Sequence, residues 1–424
     1  MISHGLFLGS AVTDNESHFD SQSAAGRQCN MREGSAPEVL LTFLKLGVTS
    51  FGGPIAHIGY FREEIVQRRR WIDDATYTDL VALCQFLPGP ASSQIGFSLG
   101  LIRAGYWGGL AAWTGFTLPS AVLLTAFAYG ATSLSGPIGT SLLHGLELVA
   151  VAVVAQAVLG MARTLCPDRE RASIAGCSAI TLLLGTSSWT QLGVIVMGGL
   201  AGLWLCRSSA EPSTLSLGTR VSRRVGVLAL SGFFLLLAGL PAWGTFSPSI
   251  ALFSAFYRSG ALVFGGGHVV LPLLSSTFVG SGEVPRDAFL AGYGAAQAVP
   301  GPLFTFAAYL GAIARSSSSG LAGAVLGVIG IFLPGMLVLL GTLPFWDSFR
   351  RRTDAQAAMR GINAAVVGLL GAALYNPLWT STIKSPADLA IALAGFILLI
   401  AWRVPPLVVV ILGAVGSVLV RGLP

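Results

Sequence analysis

Charge is what this sequence has least of. Asp, Glu, Lys and Arg make up 10% of its 424 residues, against about 25% in an ordinary soluble domain. The shortage excludes a soluble domain with a solvated surface. The net charge of +6 does not indicate nucleic acid, because the arginines gather in short loops between apolar runs, as membrane topology requires. Cysteine is also scarce. Cys29, Cys84, Cys166, Cys177 and Cys206 form no CxxC pair, so neither a disulfide framework nor a metal site is expected. There is no HExxH helix, P-loop or Ser-His-Asp spacing. The expectation is therefore no enzyme, no catalytic residue, no metal and no cofactor, with no direct use of ATP. Strand-like alternation is missing as well, which excludes a transmembrane barrel.

Apolar length is what the sequence has in abundance, with 53% hydrophobic residues. Most of the apolar runs reach roughly 17–25 residues, enough to cross a hydrocarbon core of about 30 Å. The fold class expected is an all-α polytopic membrane protein. Residues 1–36 are polar and irregular ("TDNESHFDSQSAAGRQCN") and read as a disordered cytoplasmic tail. The opening "GLFLGSAV" is short with no basic residue before it, and does not read as a cleavable signal.

The chain repeats itself. "FLKLGVTSFGGPIAHI" from Phe43 aligns with "FYRSGALVFGGGHVVL" from Phe256, and "QFLPGPASSQ" from Gln85 with "QAVPGPLFTF" from Gln297. "GFTLPS" (Gly115 to Ser120) aligns with "GIFLPG" (Gly330 to Gly335), and "GLELVAVAVV" from Gly145 with "GINAAVVGLL" from Gly361. The repeats span 37–207 and 250–424. Between them, 208–249 is a polar linker with one transmembrane helix.

Equivalent loops carry opposite charge bias. Loop 61–73 holds Arg62, Arg68, Arg69 and Arg70, and its counterpart 279–287 holds only Arg286. Loop 130–144 has no Lys or Arg, and its counterpart 347–360 holds Arg350, Arg351, Arg352 and Arg360. The positive-inside rule then gives the halves opposite orientation, the arrangement of inverted-repeat transporters. To fit the loops, runs 37–60 and 75–102 must each return to their own side as broken hairpins, as must 250–275 and 288–313. The count is about 13 membrane segments with each hairpin taken once, and the N-terminus is cytoplasmic.

Proline in a helix costs about 3 kcal/mol or more, and freed backbone groups find no water in lipid. Breaks at membrane depth therefore point to a polar cavity between the repeats. The expected substrate-binding set in the first half is Lys45, Gly52, Gly53, His57, Gln85, Pro88, Gly89, Pro90, Ser92, Ser93 and Gln94. In the second half it is Arg258, Gly265, Gly266, His268, Gln297, Pro300, Gly301, Pro302 and Thr305. Half-helix N-termini, hydroxyls and amides donate hydrogen bonds, glycines admit close approach, and two basic residues supply charge. The set suits a small tetrahedral oxyanion. For gating or coupling the candidates are an Arg62–Asp79 ion pair and Glu147, a carboxylate inside an apolar span. Small-residue packing, snorkelling bases and simple kinks are the structural alternatives.

The stretches "FGGPIAHIGYFREEIVQRRRWIDDATYTDLVALCQFLPGPASSQ" and "FGGGHVVLPLL…DAFLAGYGAAQAVPGPLFTFAAYLGA" resemble the two signature regions of the chromate ion transporter family, long-chain type. The resemblance covers about 37–420. Its motif residues here are Phe51, Gly52, Gly53, Pro54, His57, Arg62, Trp71, Asp79, Gln85, Pro88, Gly89, Pro90 and Gln94, then Phe264, Gly265, Gly266, His268, Gln297, Pro300, Gly301 and Pro302. The resemblance implies a multi-pass protein of the bacterial inner membrane that exports chromate and gives chromate resistance. Sulfate or another oxyanion, an anion channel and a membrane-embedded lipid-phosphate enzyme are the rival readings. The partners expected are the oxyanion and the bilayer, with a homodimer as an open alternative.

Overall fold

The computed structural model describes residues 34–51, 53–131, 137–185, 188–207, 221–264, 269–315, 320–346 and 352–421. The described residues contain helices and connections and no strand. Among the described residues, five helices are long and apolar enough to cross a membrane, so the chain is an integral membrane protein.

Helix α1 (Ala36–Thr49) starts at Ser35, whose hydroxyl accepts the Glu38 N–H, a standard N-cap. It stops at Ser50. Helix α2 (Gly53–Phe61) follows the break and runs into a wide turn, Arg62–Arg68. Phe61 rests against Phe43 of α1 at a ring distance of 5.5 Å, so α2 lies alongside α1 rather than extending it. Asp73 caps α3 (Asp74–Phe86), which ends where Leu87 turns extended before Pro88. Helix α4 (Ala91–Ala131) is two arms, because Ala104 and Gly105 leave helical geometry, Gly105 with φ +65°. The arms 91–103 and 106–131 fold side by side. Gly100 backs onto Gly108, and a Cβ on Gly109 would meet the Phe97 ring at 2.9 Å. The second arm is the length of a single crossing.

The second half repeats this plan with α9 (Pro248–Ala261), α10 (Val270–Leu274), α11 (Arg286–Ala298), α12 (Phe306–Ile313) and α13 (Gly320–Thr342). The fold-back recurs where Gly311 meets Gly323. Helix α8 (Arg223–Trp243), the linker helix, packs on α13 and α9.

At the centre α5 (Pro137–Leu165) touches α14 (Thr353–Ala373). The terminal helix pairs are exchanged. Helices α6 (Arg169–Leu184) and α7 (Ser188–Leu205) of the first half pack on α14, while α15 (Pro386–Ile400) and α16 (Pro406–Arg421) of the second half pack on α5. Glycine makes both crossings possible. A Cβ on Gly145 would stand 2.6 Å from Ala414 Cα, and Gly361, its repeat counterpart, backs onto Gly198 and Gly202. Small residues let helix backbones approach in lipid, where dispersion replaces the hydrophobic effect as the packing force. Helices α6, α15 and α16 are only about 24 Å long at 1.5 Å per residue, shorter than a hydrocarbon core of about 30 Å.

One end of the bundle is basic. Arg62 takes both oxygens of Asp74, at 2.6 and 2.9 Å. The partner expected at Asp79 is therefore supplied at Asp74, because five residues of helix turn Asp79 roughly 140° away from that face. Glu64 is buried and takes Lys45 (3.4 Å), Arg68 (3.0 Å) and Arg69 (2.8 Å). Burial alone would raise the Glu64 carboxyl, but hydrogen bonds from Arg69 and Lys45 outweigh it and hold the group below its ordinary value. Arg103 and Arg69 lie over the Trp71 ring at 5.2 and 5.8 Å.

If the exchanged crossings set stability, Gly145→Leu and Gly361→Leu each lower it by about 1–3 kcal/mol, the usual cost of overpacking. Gly176→Leu, where a side chain meets open space, is the matched control. Thermal unfolding in detergent reads the difference.

Candidate functional site

The two Pro-Gly-Pro breaks meet the opposite half. Gly89 donates its N–H to Val263 O at 2.7 Å, and Gly301 donates its N–H to Ser50 O at 2.9 Å. Val263 and Ser50 each sit beside a Phe-Gly-Gly segment, so each Pro-Gly-Pro of one repeat is bonded to the Phe-Gly-Gly end of the other. Both glycines have positive φ, +119° and +99°, a conformation other residues adopt only at a cost. There is also no room for a side chain. A Cβ on Gly89 would stand 2.8 Å from Gly335 Cα, and one on Gly301 2.9 Å from Ser120 Oγ. Gly335 and Ser120 are repeat counterparts, each following the proline of a kinked span. The bonded contacts and the close approaches thus follow the same internal symmetry.

Gln94 locks one of these junctions. Its side-chain N–H groups donate to Pro88 O and to Gly335 O, both at 2.9 Å. Around the breaks lie buried polar atoms without hydrogen-bond partners among the described residues: Ser50 Oγ, Ser93 Oγ, Gln94 Oε1 and Thr117 Oγ1. His57 is completely buried between the rings of Phe61 and Phe116. Orphan polar groups cost roughly 1–3 kcal/mol each. A concentration of them at one level of the molecule marks a place where water or a polar solute belongs. Most are donors or can turn a proton outward, and no carboxylate is among them, which favours an anion.

Basic charge is placed unequally. Lys45, half exposed, is engaged with Glu64. Its counterpart Arg258 has no ion pair or hydrogen bond among the described residues. It lines a cavity of about 600 Å³ with Gln191, Thr245, Ser254, Ser259, Ser276 and Thr277, and no carboxylate lines that space. Leu262, next to the Val263 that accepts the Gly89 N–H, lines it too.

Of the residues expected to form the site, Gly53, His57, Pro88, Gly89, Pro90, Ser92, Ser93, Gln94, Gln297, Pro300, Gly301, Pro302 and Thr305 gather around the two breaks. Ser92 is buried. The Thr305 hydroxyl is spent on Pro302 O at 2.7 Å, so it closes a local turn instead of facing a ligand. Gln85 is exposed. Lys45 lies in the basic end cluster. Gly52, Gly265, Gly266 and His268 lie outside the described residues. Glu147 is buried on α5, 3.3 Å from His144, which reaches Asp388 on α15 at 3.1 Å. Sequence reasoning missed His144 and Asp388. The available signal was a histidine one turn before Glu147 in the same apolar span. It also missed Ser120 and Gly335, which only the kinked-span repeat hinted at.

Replacing Gln94 by Leu removes both bonds, to Pro88 O and to Gly335 O, with an expected loss of about 1–3 kcal/mol and loss of transport. Gln297→Leu removes one bond, to the Tyr293 hydroxyl, and is expected to cost less stability. Paired melting curves and flux assays on the purified variants check both.

Comparison with known proteins fits these features. The chromate transporter family profile matches twice, at residues 37–203 and 250–418. A chromate transport protein of Pseudomonas aeruginosa is 29% identical over 391 residues, covering 90% of this chain and 91% of that one. A chromate transport protein of Cupriavidus metallidurans is 25% identical over 86% of this chain and 88% of its own length. An uncharacterized transporter of Methanocaldococcus jannaschii is 27% identical over 79% and 83%. No solved structure matches. With both halves of the chain matched and the breaks falling inside the matched regions, this protein belongs to the chromate transporter family.

Proposed function

We propose that this protein exports chromate from the cytoplasm across the bacterial inner membrane, with its N-terminus cytoplasmic, and so gives chromate resistance. The observation that carries the reading is the crossed pair of hydrogen bonds, Gly89 to Val263 and Gly301 to Ser50, with unpartnered donors around them. Two breaks joined across the repeats give one oxyanion site at the repeat interface. Arg258, without a partner among the described residues and in a cavity that no described carboxylate lines, is its cationic approach.

The halves are read as inverted repeats with re-entrant hairpins. Contacts at the basic end support this. Gly34 donates its N–H to Arg103 O, Arg103 lies over Trp71, and Arg62 grips Asp74. The outer ends of α1, α2, α3 and the 91–103 arm therefore share one face, as four half-helices returning to one side do. The conformation is asymmetric. Helix α11 packs on α5, whereas its counterpart α3 packs mainly on α4 and makes no comparable contact with α14 among the described residues. Gln85 is correspondingly exposed. This supports a state closed toward the second-half hairpins and open toward the basic, cytoplasmic end, as a transporter waiting for intracellular substrate requires.

The membrane potential sets the direction. One charge through 100 mV is worth ~2.3 kcal/mol, so a dianion gains ~4.6 on leaving a negative cytoplasm. Sulfate shares charge and shape with chromate and is the competitor to test.

Everted membrane vesicles are expected to accumulate labelled chromate when energised. Arg258→Gln is expected to weaken apparent affinity about tenfold or more, while Lys45→Gln changes it little. The two equivalent residues differ because one is already engaged with a carboxylate. No accumulation above empty vesicles sinks the chromate reading. Excess sulfate that abolishes uptake shifts the substrate to sulfate.

A further inference from the structure

His144 lies between two carboxylates. Its Nδ1 is 3.3 Å from Glu147 Oε2, and its Nε2 is 3.1 Å from Asp388 Oδ1. Glu147 and Asp388 are 8% and 1% exposed. The second oxygen of Asp388 accepts the backbone N–H groups of Lys384 and Ser385, both at 3.0 Å. His144 and Glu147 line a cavity of about 470 Å³ with Asp287 of α11, Tyr309 of α12 and Lys384. The Tyr309 hydroxyl donates to Ala288 O. Helix α16, which also packs on α5, carries no titratable side chain before Arg421. On α14 the nearest titratable group toward α5 is Arg360, which donates to Cys206 O at the other end.

Proton counting limits what this arrangement can be. A neutral imidazole has one N–H and one lone pair. It can donate to one carboxylate, and its other nitrogen then meets a carboxylate oxygen lone pair to lone pair. Both contacts are hydrogen bonds only when the three groups hold one extra proton, either as an imidazolium or as a carboxylic acid beside a neutral ring. A metal fits poorly, because the carboxylates attach to opposite edges of the ring and do not converge on a point. Base catalysis fits poorly as well, because neither ring nitrogen faces open space.

We propose that Glu147, His144 and Asp388 form a proton-binding site whose occupancy governs the packing of α11 on α5 and couples proton entry to oxyanion export. The proposal rests on the transport reading above. Gly294 of α11 backs onto Leu146, between His144 and Glu147, and three residues later α11 reaches Gln297 and the second break. A rearrangement of the 144–147 turn is therefore transmitted to the site. The repeat counterparts of His144 and Glu147 are Arg360 and Asn363, so the proton site belongs to one face of the membrane only. A site that couples to a gradient needs this one-sidedness.

The test uses the full-length protein in liposomes loaded with a pH-sensitive dye, with the potential clamped at zero. For each proton exchanged, one unit of pH difference shifts the equilibrium chromate ratio about tenfold. Wild type is expected to show that shift and a dye response opposite to chromate movement, and Glu147→Gln and His144→Gln are expected to lose both. Asp388→Asn is not used, because Asp388 also caps α15. Chromate movement by wild type that ignores the pH gradient overturns the proposal, as does a tenfold shift retained in Glu147→Gln. If wild type moves no chromate, the transport reading fails, and melting in lipid nanodiscs then decides the proton site. The native triad holds a proton, so its stabilisation is present at low pH and lost as pH rises. The stability that wild type holds over Glu147→Gln is expected to shrink as pH rises; a difference that does not change with pH overturns the site.

Discussion

A peptide N–H in hydrocarbon must find an acceptor, and at two points this chain denies itself the helical one. Pro88, Pro90, Pro300 and Pro302 interrupt the backbone inside apolar runs. Each interruption leaves groups that would cost several kcal/mol apiece in lipid. The glycine between each pair of prolines donates across the molecule, to Val263 in one case and Ser50 in the other. Much of the architecture follows from that exchange. The halves must interlock so that each Pro-Gly-Pro reaches the other's Phe-Gly-Gly segment. The spans containing Pro119 and Pro334 must kink beside them, and small residues must line the junctions. Gln94 then ties two remaining carbonyls together.

Hydropathy and repetition made the outline legible. Runs of apolar residues gave the helices, and the same motifs written twice gave the pairing of elements. Packing partners were not readable. Nothing in the hydropathy of α6 and α7 indicates that they lie on α14 and not on α5; that choice is made by the fit of Gly198 and Gly202 against Gly361. Side-chain partners failed for the same reason. Arg62 chose Asp74 over Asp79 through helix phase. Lys45 met Glu64, and the Thr305 hydroxyl turned back to its own turn. The Glu147–His144–Asp388 contact spans the two halves, and only the fold brings Asp388 to the histidine.

Equal sequence does not give equal environment here. Lys45 and Arg258 occupy the same repeat position, yet one is engaged with Glu64 and the other has no partner among the described residues and lines a cavity. Helices α3 and α11 are counterparts, yet only α11 is packed against a central helix. Two copies of one design therefore sit in different energy wells within a single chain. A duplicated scaffold can exchange those roles at little net cost, because the packing that one half gives up is taken on by the other.

The exchange of terminal helix pairs carries a consequence for biogenesis. Helices α6 and α7 are complete by Leu205, but the helix they pack on begins at Thr353. About 150 residues of synthesis separate them, which at ~5–20 residues per second is roughly 10–30 s. Through that interval the faces of Gly198 and Gly202 must rest against lipid or an insertion factor. The first repeat therefore waits in the bilayer as an incomplete object, and the nascent chain matures only when its second half arrives.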